Sequence, residues 1–155
     1  GLAAALSGGD VLMVDCSQRA IEMSQRTFEH HGIKGNWCVD DAWKFLANLN
    51  EKFDLIVIDP PALVTDKSHF NIAKGAYMSL IEKGFSHLTE KGILVFASCS
   101  SFVKRKHLLQ WGEKSFHKLG IQAHVIYQSG HEKDHPVPDF LPSMRYLECL
   151  AWQLI

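Results

Sequence analysis

"FDLIVIDPP", residues 53–61, decides the fold. Leu55 to Ile58 form a short unbroken apolar run between one acid, Asp54, and another, Asp59. A run of that length reads as a strand buried on both faces, the habit of a parallel sheet. Pro60 and Pro61 stop it, because each lacks an N–H donor and fixes its own φ, and the second also restrains the first. The stop leaves a carboxylate, Asp59, at the strand's carboxyl end, beside stiff backbone carbonyls that no ladder pairs. Such a group can hold the amine edge of a flat heterocycle. Strand termination alone accounts for the prolines but gives no reason for the acid.

Outward from this stretch, strand and helix patterns alternate. "VLMVD" (11–15) and "NWCVD" (36–40) are short strands that also end in acids. "GILVFAS" (92–98), "AHVIYQ" (123–128) and "YLECLAWQLI" (146–155) complete the set. Helices are expected over Ser17–His31, with Ser17 as N-cap and Ile21 and Phe28 on one face, and over Asp41–Leu49, with Phe45, Leu46 and Leu49 inward. Two more are expected near Asn71–His87 and over Lys104–Leu119. "SGHEKDHPVPDFLPSM" (129–144), rich in Pro, Gly and charge, is a loop. The alternation predicts an α/β fold, a mainly parallel sheet with helices on both faces and no internal repeat.

In such sheets ligands bind at the carboxyl ends of the strands. Those ends carry Asp15, Asp40 with Asp41, Asp59 with Pro60 and Pro61, and Ser98-Cys99-Ser100. Asp15 suits both hydroxyls of a ribose, or a turn or helix cap. Asp41 suits an adenine amine, with Ala42 small enough to let the ring approach, or equally a helix N-cap. Cys16, Cys38, Cys99 and Cys149 show no CxxC spacing. A disulfide framework is not indicated, and His30 and His31 near Cys38 match no common zinc pattern. Buried packing suits Cys16, Cys38 and Cys149, whereas Cys99 stands among Ser98, Ser100 and Ser101, a setting for a site or turn.

The 155 residues include 46% hydrophobic and 21% charged, with a net charge of −1, enough for one domain without a strong field toward nucleic acid or membrane. No apolar run approaches a membrane span. The opening "GLAAALSGGD" lacks the basic flank of a signal peptide.

Together, the acids at successive strand ends and "DPP" resemble a class I methyltransferase using S-adenosylmethionine, which implies its Rossmann-like fold, a mainly parallel sheet whose last strand, here "YLECLAWQLI", is antiparallel. "DPPALVTDKSHFNIAKGAYMSL" (59–80), "GILVFASCSSF" (92–102), "DHPV" (134–137) and the final "YLECLAWQLI" are similar to the bacterial family that methylates carbon 5 of cytosine in large-subunit ribosomal RNA. The resemblance spans nearly the whole chain. It implies S-adenosylmethionine as cofactor, held by Asp15, Cys16, Asp41, Ala42, Asp59 and Pro60. It implies Cys99 as a nucleophile that adds to carbon 6 of a flipped cytosine, with Asp59 holding the ring nitrogen or amine. An unperturbed thiol is mostly protonated near neutral pH, so the site must also favour the thiolate. Pro61, Lys67, Lys74, Tyr77, Asp134 and His135 are candidate substrate-side residues, each equally readable as an ordinary surface group. The implied partner is RNA, the implied location the cytoplasm; a homodimer stays open.

The sequence departs from the family at Ala62 and Leu63, where some members carry Lys and Phe. Ala62 also stands where several other RNA cytosine methyltransferases place a second cysteine, which leaves the base for the carbon 5 proton unassigned. The resemblance implies a glycine-rich cofactor loop, and a strand before it, that would come ahead of Gly1. Residues 1–155 are therefore expected to be a partial catalytic domain, with the strands Val11–Asp15 and Leu55–Asp59 each short of a neighbour. Two other functions stay beside this one. An amino-group methyltransferase on adenine or guanine also uses Asp/Asn-Pro-Pro, but usually with an aromatic residue next, where Ala62 stands. A binding protein on a decayed methyltransferase fold would leave Cys99 idle.

Overall fold

The computed structural model describes residues 1–64, 66–131, 136–138, 140–141 and 144–155, with Lys67 described in its backbone alone. The chain divides into two compact units, Gly1–Leu49 and Asn50–Ile155.

The first unit runs α1 (Leu2–Leu6), β1 (Leu12–Asp15), α2 (Gln18–His30), β2 (Asn36–Val39) and α3 (Ala42–Asn48). β1 and β2 pair in parallel, Leu12 opposite Asn36 through Asp15 opposite Val39. Ser17 caps α2 as expected, its Oγ accepting the Ala20 N–H at 3.2 Å. The helix buries Ile21 and Phe28, and Phe28 meets Trp37 of β2 edge-on, ring centroids 5.7 Å apart.

The second unit runs β3 (Phe53–Ile58), a 3₁₀ turn (Lys67–His69), α4 (Phe70–Ser86), β4 (Leu88–Ser98), α5 (Arg105–Leu119), β5 (Ala123–Ser129) and β6 (Glu148–Leu154). Its sheet has the order β3-β4-β6-β5. β3 and β4 are parallel; β6 runs antiparallel to both β4 and β5. The antiparallel last strand matches the expectation from "YLECLAWQLI". Within their sheets β1 pairs with β2 and β3 with β4, each at one edge. Leu55 and Val57, which share one face of β3, are 45% and 62% exposed, while Ile58 on the other face is buried, so this run is covered on one face and not on both as its apolar pattern suggested.

β4 starts at Leu88, four residues before the expected Gly92. The extension passes through an irregular register between Phe53 and Leu55. There Lys91 adopts φ 61°, and a Cβ on Gly92 would lie 2.9 Å from the Thr89 carbonyl and 3.2 Å from that of Phe53. Gly92, expected as the first residue of the strand, lies inside it, where a glycine is small enough for the bulge.

α4 and α5 cover the sheet face that carries Leu94, Phe96 and Trp152, all buried, with Leu94 and Trp152 paired across β4 and β6. Tyr77, Leu80 and Ile81 of α4 and Leu108 and Trp111 of α5 complete this core. Trp152 meets Phe85 and Phe116 edge-on at 5.8 and 6.5 Å.

Candidate active site

In the first unit the parallel pairing brings the ends of β1 and β2 side by side: the Asp40 N–H donates to the Asp15 carbonyl at 3.2 Å. Asp15 is exposed, and its Oδ1 accepts the Ser17 N–H at 2.7 Å, which turns the chain into α2. Asp41 is half-buried and caps α3, accepting the Lys44 N–H at 3.1 Å, while Asp40 accepts the Asp41 N–H at 2.8 Å. The turn and cap roles weighed for Asp15 and Asp41 are thus both realised, each using one carboxylate oxygen. A carboxylate has capacity for about four hydrogen bonds, so neither role excludes a ligand. Cys16 and Ala42 are exposed beside them. Cys16 is therefore not a packing residue, and Cys38 and Cys149 are only half-buried. All four cysteines are thiols.

In the second unit β3 and β4 run in parallel register, with Ile58 opposite Phe96, so the Asp59-Pro60-Pro61 turn and Cys99 leave the sheet at the same end. Pro60 is buried, Asp59 and Pro61 are exposed, and Cys99 is half-buried. The Cys99 Sγ lies 3.9 Å from the Pro60 carbonyl oxygen, to which the thiol donates. The serines on either side of Cys99 point inward: Ser98 is fully buried and Ser100 nearly so. Ser100 Oγ donates to the Val64 carbonyl at 2.8 Å, tying the end of β4 to the loop after the prolines.

Tyr77 stands differently from its expected place among substrate-side residues. It is fully buried, its ring stacked on Trp111 at 5.4 Å and 19°, and its hydroxyl accepts the Leu63 N–H at 3.3 Å and the Ser98 hydroxyl at 3.4 Å. It is framework, because its ring fills the space between α4 and α5. Lys74, one turn earlier on α4, is half-buried. Lys67 lies in the 3₁₀ turn, which Asp66 opens by accepting the Ser68 N–H at 2.6 Å. That bond, the Ser68 hydroxyl and the nearby His69 hold the Asp66 carboxyl below its ordinary value, the Ser68 hydroxyl most of all. Asp134 and His135 lie outside the described residues.

Two residues with structural roles were not singled out in the sequence. His107 Nδ1 accepts the Lys104 N–H at 3.1 Å and closes the first turn of α5. Burial, then the charges of Lys106 and Lys104, hold this imidazole below its ordinary value. His131 Nε2 accepts the N–H groups of Tyr146 and Leu147 at 2.9 and 3.1 Å, pinning one end of the polar loop to the other. The His107 contact has the N-cap to N3 spacing of a capping box, but Lys104 and His107 are not the residue types that mark one in a sequence. His131 has no local pattern that gives it away.

Among the described residues, no group of three or more His, Cys, Asp or Glu side chains could hold a metal ion. Among them, too, no helix is long and apolar enough to cross a membrane.

Strand-end acids on one parallel pair, and a proline-stiffened carboxylate with a thiol on another, define a methyltransferase-type α/β fold. The chain belongs to the methyltransferase small domain family, whose model matches residues 1–124. It is similar to the "Ribosomal RNA large subunit methyltransferase I" of Shigella dysenteriae and of Escherichia coli, at 31% identity over 97% of this chain and 40% of each relative. The chain thus spans about 40% of the length of these curated relatives. Its fold is similar to that of SMU.776, solved with SAH, at a TM-score of 0.79 and 23% identity over 98% of this chain and 41% of that one. A further likeness is to an S-adenosylmethionine-dependent methyltransferase from Clostridium acetobutylicum, at a TM-score of 0.63 and 14% identity, covering 94% of this chain and 75% of that one.

Proposed function

We propose that the protein transfers a methyl group from S-adenosylmethionine to carbon 5 of a cytosine in large-subunit ribosomal RNA, through a covalent Cys99 adduct. The observation that carries this reading is the Cys99 thiol 3.9 Å from the Pro60 carbonyl, next to Asp59. A cytosine whose amine edge met Asp59 and that carbonyl would stand beside the sulfur. Cytosine carbon 5 is a poor nucleophile. Addition of the Cys99 thiolate to carbon 6 makes carbon 5 enamine-like, and carbon 5 then takes the methyl from the sulfonium. Loss of the carbon 5 proton and departure of the thiolate restore the ring. The base must leave its stack to reach such a site.

The acids of the first unit support the cofactor. Asp15 and Asp41 are acceptors, and the ribose hydroxyls and adenine amine are donors, so the two sets match in chemistry. The names of the similar relatives point to large-subunit ribosomal RNA as substrate. Ala62, which follows the prolines, offers no ring to stack on an adenine or guanine.

The test is Cys99→Ala in the full-length protein. Methyl transfer to ribosomal RNA is expected to be lost, while S-adenosylmethionine affinity by calorimetry stays within about twofold, since the thiol faces the base. An active Cys99→Ala protein sinks the mechanism.

A further inference from the structure

Cys99 is held from both sides by buried hydroxyls. Ser98 Oγ donates to the Tyr77 hydroxyl at 3.4 Å and accepts the Ser100 N–H at 3.4 Å. The Tyr77 hydroxyl accepts the Leu63 N–H at 3.3 Å, and Ser100 Oγ donates to the Val64 carbonyl at 2.8 Å. Two successive residues of the loop after the prolines, Leu63 and Val64, are thus tied to the residues on either side of Cys99. Tyr77, Ser98 and Ser100 are each at most 1% exposed. Burying three hydroxyls in an otherwise apolar core is unfavourable unless each is bonded, and packing alone asks for none of them. A Phe at position 77 would keep the stacking on Trp111 and the edge contact with Phe96.

The ring stack aims the hydroxyl. Trp111 stacks on Tyr77 at 5.4 Å and 19° and also on His107 at 6.0 Å and 20°. The aromatic column leaves the tyrosine little freedom, so its oxygen is a fixed point between α4, the loop and β4.

We infer that Tyr77, Ser98 and Ser100 are positioning residues that hold the Pro60 carbonyl and the Cys99 sulfur in register. This rests on the reading of Cys99 as the nucleophile. None of the three touches the base. They act by fixing where the thiol stands against the turn that receives the base. A small misplacement of reacting groups is enough to slow a reaction severely.

The test uses Tyr77→Phe and Ser100→Ala in the full-length protein, with two readouts. In steady-state methylation kcat is expected to fall by about two- to tenfold for each buried hydrogen bond lost, one in Ser100→Ala and two in Tyr77→Phe, with KM for RNA near wild type. Iodoacetamide alkylation of Cys99 at neutral pH, resolved from Cys16, Cys38 and Cys149 by peptide mapping, is expected to speed up by about two- to tenfold, because the thiol is no longer held against the carbonyl. Thermal unfolding identifies any variant that fails to fold, and Tyr77→Phe keeps the ring that the core needs. Alkylation needs no RNA, so it reads the frame even if Cys99→Ala stays active and the nucleophile reading fails. Wild-type kcat and wild-type alkylation in both folded variants overturn the frame.

Discussion

Two glycines in the long helices give opposite expectations for the same substitution. Gly75 lies in α4 with nothing within 4 Å of where a Cβ would stand. Ala there gains only helix propensity, about 0.5–1 kcal/mol. Gly112 lies in α5, and its Cβ would meet the Trp152 ring at 3.0, 3.1 and 3.2 Å. The propensity gain is the same, but the indole must give way. Trp152 is 1% exposed and hemmed by Phe85 and Phe116, so it has no free direction. Overpacking of such a site costs about 1–3 kcal/mol. Gly112→Ala is therefore expected to be net destabilising by about 1 kcal/mol, between zero and ~2. For a chain of this size 1 kcal/mol moves the unfolding midpoint by about 2–4 °C. Differential scanning calorimetry of the two variants beside wild type should show Gly75→Ala shifted up and Gly112→Ala shifted down. A Gly112→Ala midpoint as high as that of Gly75→Ala would refute the claim that the Trp152 ring is locked.

His107 gives a pH expectation. Its folded value is lowered, so as pH falls through ~6.5 the unfolded chain takes the proton first and stability declines, until the folded imidazole also protonates. His107→Gln, which keeps an acceptor for the Lys104 N–H, should remove that part of the acid slope in urea titrations between pH 5 and 7; an unchanged slope refutes the assignment. Asp41→Ser is expected to preserve the α3 cap and stability yet weaken S-adenosylmethionine binding, because the shorter side chain falls short of an adenine amine, whereas Asp41→Ala should also lose about 1 kcal/mol of stability. Asp15→Ala should weaken cofactor binding by about tenfold or more, the loss of charge-assisted hydrogen bonds to a ribose. Unchanged calorimetric affinity would return Asp15 to its turn role alone.

The strand runs and helix faces were legible because burial leaves a pattern. Ile21 and Phe28, two turns apart, mark the inner face of α2, and Ser17 and Asp41 mark helix starts by their own chemistry. The shared rim of Asp59 and Cys99 was legible too, since apolar runs that alternate with helices and end in polar residues belong to a parallel sheet. Tyr77 was not. α4 is apolar on more than one face, and a tyrosine at its centre can face either the core or a ligand. Only the position of Trp111, thirty-four residues on, decides it. The early start of β4 at Leu88 was not legible for a like reason: the Phe53 carbonyl beside Gly92 is distant in sequence. Cys16 read as packing because its neighbours Met13 and Val14 are apolar, yet the strand ends one residue before it. In the site itself, residue types were legible and their partners were not. Serines around Cys99 signalled chemistry, but their inward bonds to Val64 and Tyr77 depend on the loop's path.

The most direct measurement is covalent trapping on RNA containing 5-fluorocytosine. Fluorine at carbon 5 cannot leave as a proton does, so a ring attacked at carbon 6 and methylated at carbon 5 stays bonded to the enzyme. With S-adenosylmethionine present, the full-length protein should form a denaturation-resistant complex with this RNA, and peptide mass spectrometry should locate the nucleotide on Cys99. Cys99→Ala should form none. Efficient methylation of ordinary cytosine RNA without any trapped complex, or a complex mapped to another residue, would contradict the account.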